Sequence, residues 1–240
     1  MNTIESLLRL GFYIISIVPY RKFSNPNNFN SHSIFKAIYK TNYWGSEESF
    51  SGLGSELNNT RVLRSRLPQI FSKYNIKTML DVPCGDFNFM AKVNMLDVNY
   101  TGGDIVEKII EDNNCKYKDS NHVKFEIIDA TKDVLPKVDL ILCKDLLQHL
   151  SYEDVYKVLL NFKKSNSKYL LVTCYPLTLK NWDIHTGYYR PLNLRKKPFF
   201  LPQPMEKIHE HRNEWNNIER DKFMYLYDLN KLNLEFTCLK

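Results

Sequence analysis

From residue 77 onward the chain alternates short apolar runs with stretches of helical period. Lys77–Val82, Val98–Gly102, Val123–Ile128, Val138–Cys143 and Lys168–Cys174 read as strands. Val138–Cys143 carries few polar residues, the pattern of a strand covered on both faces. Between the strands, Phe87–Val93, Ile105–Asn113 and Ser151–Lys164 read as helices, the last opened by Ser151-x-x-Asp154, a near capping box. This order predicts a mostly parallel sheet with helices on both faces. Two further strand-like pieces, Met205–Glu210 and Phe223–Leu229, would pair antiparallel at its edge and complete a doubly wound sheet of seven strands.

Upstream, Ser33–Lys40 reads as a short amphipathic helix. The glycine- and serine-rich stretch Asn42–Ser55 is too aromatic to be a flexible linker. Ser55 is placed to cap a helix reaching Tyr74, with Leu57, Val62, Leu63, Leu67, Ile70 and Phe71 on one face and Pro68 as a kink or break. Leu10–Val18 is apolar but falls short of the roughly 20 residues needed to span a bilayer. The Pro-Tyr-Arg-Lys that follows it is a poor signal-peptidase site. Two readings of residues 4–22 stay open: a helix packed on the domain, or an interfacial helix with Arg9, Arg21 and Lys22 at lipid headgroups. Pro19–Ser33 reads as a linker. Residues 176–204 lack periodicity, and their aromatics (Trp182, Tyr188, Tyr189, Phe199, Phe200) favour a packed loop. The expected organisation is a helical arm and site-covering loop over residues 1–55 and one α/β domain over 56–240, with 176–204 on its substrate side.

Composition narrows the function classes. The 240 residues carry a net charge of +6 with no run of five or six like charges, so no nucleic-acid partner is expected. With 13% aromatics and 25% charged residues the chain is not of the disordered class. The five cysteines come no closer than 28 residues apart, which excludes a C-x-x-C pair and fits reduced thiols in a cytoplasmic protein. His209-x-His211 has no third ligand nearby and reads as structural, so no metal site is expected, although a pairing of Asp145 with Asp183 leaves metal-assisted chemistry open.

The candidate chemistry gathers at strand ends, where parallel sheets bind ligands. After the first strand comes Asp81-Val-Pro-Cys-Gly-Asp86, in which Gly85 would allow close backbone approach. After the second comes Gly103-Asp104-Ile105, with Asp104 19 residues beyond Gly85, the spacing of a carboxylate that holds a ribose diol. After the third comes Asp129-Ala130, where an acid can accept from an adenine amino group. Each acid taken alone could equally be a helix cap. A nicotinamide dehydrogenase would need G-x-G-x-x-G after the first strand, and the chain has Pro83-Cys-Gly-Asp-Phe-Asn88 there.

These segments, together with Val138-Asp-Leu-Ile-Leu-Cys-Lys-Asp145, resemble the successive motifs of class I S-adenosylmethionine (SAM)-dependent methyltransferases over roughly Lys77–Cys174. The flanks Trp44–Ser55 and Asn181–Leu194 resemble a branch associated with surface-glycan synthesis. The resemblance implies a Rossmann-like fold and SAM as cofactor. It implies that Asp81, Pro83, Cys84, Gly85 and Asp86 lie near the methionine part, Asp104 and Ile105 at the ribose, Asp129 and Ala130 at the adenine, and Lys144 and Asp145 near the sulfonium. Pro83 and Asn88 depart from the usual glycine-rich loop.

A hydroxyl acceptor needs a base, and His149 and Asp145 rank first for that role, with Asp183 and His185 second. Trp44, Glu48, Thr186, Arg190 and Asn193 are the expected acceptor contacts, Arg190 suiting a phosphate or carboxylate. The expected activity is O-methylation of a sugar or glycan precursor. The alternatives are methylation of another small molecule and an inactive binding or scaffold module. The expected location is the cytoplasm, with or without membrane contact through residues 4–22.

Overall fold

The computed structural model describes residues 30–210 and 221–234. The readings of 4–22 and most of 19–33, and His211, lie outside them. The apolar runs become β1 (Thr78–Asp81), β2 (Asn99–Asp104), β3 (Val123–Ile127), β4 (Leu140–Cys143), β5 (Tyr169–Cys174), β6 (Glu206–His209) and β7 (Phe223–Asp228). They form one sheet in the order β3-β2-β1-β4-β5-β7-β6. Neighbours are parallel from β3 through β5, whereas β7 runs antiparallel to β5 and β6 antiparallel to β7. The expected edge hairpin is therefore present. The order reverses between β1 and β4, which makes their carboxyl ends the switch point where such sheets open a crevice.

Helix α1 spans Ser31–Lys40, α2 Arg61–Lys73, α3 Glu107–Lys116 and α4 Tyr152–Lys164. In α4 the Ser151 side chain accepts the Asp154 N–H, as the capping pattern predicts. Val155, Val158, Leu159 and Phe162 of α4 have no exposed surface. Each such side chain contributes about 1.5–3 kcal/mol relative to exposure.

Several element boundaries differ from the sequence reading by a few residues, and three differences have a visible cause. Phe87–Val93 is not a helix but a loop ending in one 3-10 turn, Met90–Lys92. Phe87 sits at φ +58°, outside helical backbone, and Phe87, Phe89, Met90 and Val93 are buried while Ala91 and Lys92 face solvent. Helix α2 starts at Arg61 rather than Ser55, because the Glu48 carboxylate takes the Leu57 N–H and the Asn88 amide takes the Ser55 carbonyl, which holds that stretch in loop form. Helix α3 starts two residues late because Asp104 accepts the Val106 N–H. Pro68 lies inside α2 without ending it. Residues 176–204 form a loop anchored by buried Leu192, Leu194, Phe199 and Leu201, while Phe200 faces out. Among the described residues no helix is long and apolar enough to cross a membrane.

Candidate functional site

A cavity of about 450 Å³ opens at the carboxyl ends of β1, β2, β3 and β4. Its floor begins at the β1 turn. Cys84 N–H donates to the Gly103 carbonyl (2.8 Å), Gly85 N–H donates to Asp104 Oδ2 (3.1 Å), and the Asn113 amide donates to the Gly85 carbonyl (2.8 Å). Gly85 has φ +54°, and a Cβ there would lie 1.9 Å from Ser51 Oγ. Only glycine therefore lets the covering loop sit on this turn.

Asp104 and Asp129 both line this cavity. The two oxygens of Asp104 accept from Gly85 and Val106 N–H groups, one each. An ionised carboxylate has about four acceptor positions, so two remain. Burial pushes its pKa up to about 6 against those hydrogen bonds. Burial also raises Asp129, but hydrogen bonds from Thr131 and its contact with Lys132 outweigh that and leave it below the usual value.

Beyond β4 the cavity is walled by Lys144, Asp145, Gln148 and His149. Asp145 takes φ +58° and accepts from Lys144 (2.5 Å), Lys222 (2.6 Å) and Gln148 (2.7 Å). Burial would raise its pKa, yet the two ammonium groups hold it well below the carboxylate range. His149 Nδ1 meets the Tyr188 carbonyl at 3.0 Å, which makes Nδ1 the protonated nitrogen and leaves Nε2 as an acceptor. Burial lowers the His149 pKa to about 4. Its ring stands 5.4 Å from Trp44 and 5.6 Å from Tyr189.

The roof is the 44–55 loop. Asp86 holds it by accepting from Ser49 Oγ (2.9 Å), Phe50 N–H (2.9 Å) and Ser51 Oγ (3.2 Å). Lys144 Nζ donates to the Gly54 carbonyl (2.8 Å). Helix α1 contributes Phe35 and Tyr39 to the same wall, with Tyr39 5.3 Å from Phe50.

Of the residues singled out in the sequence, the cavity brings together Trp44, Pro83, Cys84, Gly85, Asp104, Ile105, Asp129, Ala130, Lys144, Asp145 and His149. The others lie outside its wall. Asp81 is buried beneath, accepting from Tyr100 Oη (2.8 Å). Asp86 and Glu48 are spent on the covering loop. Asp183 accepts the Tyr152 N–H at the start of α4, and Thr186 is bonded to Asp154 and Ser151, so both serve that helix end. Asp183 therefore forms no pair with Asp145, and His185 is exposed against Tyr188. Arg190 is wholly buried, donating to the Leu150 carbonyl and lying over the Tyr152 ring. Asn193 cross-links the 176–204 loop through the Pro176 and Thr178 carbonyls. The loop turns Tyr188 and Tyr189 to the cavity and Arg190 to the interior. The sequence reading missed Phe35, Tyr39, Tyr43, Tyr188, Tyr189 and Lys222. The tyrosine pair could have been found from its place inside Thr186-Gly-Tyr-Tyr-Arg190, whereas Lys222 gives no signal beyond preceding an apolar run. Among the described residues no group of three or more His, Cys, Asp or Glu is placed to hold a metal ion.

This strand order and crevice define the fold of class I SAM-dependent methyltransferases. Solved structures with this fold include the 1,6-didemethyltoxoflavin-N1-methyltransferase of Burkholderia thailandensis with 1,6-didemethyltoxoflavin and S-adenosylhomocysteine bound, at TM-score 0.62 and 11% identity over 85% of this chain and 90% of that one. The N-methyltransferase NodS of Bradyrhizobium japonicum, with S-adenosylhomocysteine, is similar at TM-score 0.60 and 12% identity over 80% of this chain and 97% of that one. Magnesium protoporphyrin IX methyltransferase of Synechocystis, with SAM, is similar at TM-score 0.55 and 11% identity over 85% and 99%. No protein-family model and no curated protein matches the sequence.

Proposed function

We propose that this chain is a SAM-dependent methyltransferase that methylates a hydroxyl of a small acceptor, a sugar or glycan precursor. The observation that carries this reading is one cavity shared by Asp104 and Asp129, at successive strand ends, and a neutral His149. The donor set fits the cofactor. Asp104 keeps two acceptor positions that would take a ribose diol, Asp129 and Ala130 would border the adenine, and the Pro83–Gly85 turn would bring backbone close to the methionine part. Bound SAM supplies a methyl group on a sulfonium, activated without help from the protein. The chain's part is to place the acceptor oxygen in line and exclude water. Through Nε2, His149 accepts the hydroxyl proton, its ring fixed by the Tyr188 carbonyl. Asp145, tied to two lysines, is an electrostatic wall rather than the base.

In the same reading residues 44–55 and 176–204 cover the site of a domain spanning 56–240. For residues 4–22 of this cytoplasmic protein, membrane contact stands as the alternative to packing on the domain, and liposome flotation with and without residues 1–20 decides between them. A second reading is favoured by the rings of Tyr43, Trp44, Phe50, Tyr188 and Tyr189 around the cavity: a planar aromatic acceptor in place of the sugar. Incubation with labelled SAM and separate pools of nucleotide sugars and of aromatic small molecules decides between them. Label in the sugar pool, lost in His149→Phe, supports the first reading. Label only in the aromatic pool overturns it. SAM binding without label in any pool makes the chain a binding module.

A further inference from the structure

Four charges meet at one wall of the cavity, three of them on buried side chains. Lys144 and Lys222 both reach Asp145, and both also face Glu210, at 3.7 Å and 3.4 Å. Lys144, Lys222 and Glu210 have side chains only 2–3% exposed. Glu210 directly follows β6 and Lys222 directly precedes β7, far from every motif of the sequence, and their backbones pair where the Glu210 N–H donates to the Lys222 carbonyl (3.0 Å). Among the described residues no group hydrogen-bonds either carboxylate oxygen of Glu210. A buried carboxylate without hydrogen bonds is costly, so attraction to the two ammonium groups is what compensates it. Counting these four groups alone, Glu210 balances two cations with two anions, and its removal leaves an excess cation among them.

We propose that Glu210 sets the charge of the methyl-donor end of the cavity, so that a cationic sulfonium is accepted there as readily as its neutral thioether product. This rests on the cofactor reading above. Lys144, Asp145 and Lys222 line the cavity next to His149, the end where the sulfur must lie if the adenosyl part is held by Asp104 and Asp129. SAM and S-adenosylhomocysteine share every group except the methyl and the charge it places on sulfur. The ratio of their affinities therefore reports the local field and cancels general damage to the site.

A unit charge about 10 Å away, at an effective dielectric of about 20, changes that ratio by roughly tenfold. Calorimetry on the full chain with each ligand is the test. Glu210→Gln leaves an excess positive charge and is expected to weaken SAM about tenfold relative to S-adenosylhomocysteine. Lys222→Gln leaves an excess negative charge and is expected to shift the ratio as far the other way. The double variant Glu210→Gln with Lys222→Gln is neutral again and is expected to return to the native ratio, although both partners are gone. An unchanged ratio in both single variants overturns the proposal, as does a double variant that stays displaced. If either single variant fails to fold, the remaining variant and the double one still give the ratio that decides. A native chain that binds neither ligand overturns the cofactor reading itself, an outcome distinct from binding both with an unmoved ratio.

Discussion

Asp104→Asn tests the proposed cofactor site most directly. The native carboxylate serves two backbone N–H groups, at 3.1 Å and 3.0 Å, and keeps two acceptor positions for ribose hydroxyls. An asparagine offers one oxygen and turns an NH2 toward one of those backbone donors. It loses the charge assistance of the ribose bonds, each worth about 1.5–3 kcal/mol. A net loss of about 3 kcal/mol corresponds to an increase in Kd on the order of 100-fold. The fold should tolerate the change, because burial already disfavours the ionised form and lifts its pKa to about 6. The assay is calorimetric titration with S-adenosylhomocysteine, with the unfolding midpoint as the check on structure. In the native chain affinity should also fall as pH drops below about 6 and Asp104 takes up its proton, and the variant should lack that limb. A folded variant that binds within about threefold of the native chain would refute this role.

The other consequences are as direct. His149→Gln should reduce methyl transfer by roughly 100-fold or more while leaving Kd for S-adenosylhomocysteine within about twofold. With its pKa lowered to about 4 by burial, native His149 should give a rate with no histidine limb between about pH 5 and 8, so a limb near the ordinary histidine value counts against it. Asp86→Ala removes three hydrogen bonds to residues 49–51 and should speed amide exchange at Phe50 and Ser51 while β1 and β4 stay protected, read by hydrogen-exchange mass spectrometry. Burial lifts Asp81 to about 7 from an ordinary 3.8, so the folded chain binds that proton more tightly than the unfolded one. Stability from this group is therefore gained as pH falls from about 7 toward 4. Asp81→Asn should flatten the unfolding midpoint over that window, and an unchanged slope would show that Asp81 is not the group responsible.

Most of the sheet was legible because its strands are short and apolar and its acids stand at their ends. Asp104 could be picked out by its spacing from Gly85 and Asp129 by its place after the third strand, since a doubly wound sheet brings successive strand ends to one edge whatever the helices do. The 87–93 segment misled because four buried apolar residues imitate a helix face, while Phe87 at φ +58° has no signature in the sequence. Arg190 and Asn193 look like ligand contacts in a polar, aperiodic loop, yet the interior takes both as cross-links. In Asp183 and Thr186 the same hydrogen-bonding capacity is used by the start of α4.

The sequence alone determined the alternation of strands and helices, the antiparallel closing pair and the three acidic strand ends, because these follow from local periodicity and from the direction of a parallel chain. Tertiary structure decided which polar side chains face the cavity and which serve the scaffold. It also brought Glu210 and Lys222 against Lys144 and Asp145. A charge in this interior takes its meaning from partners tens of residues away, and only the folded chain sets their distances.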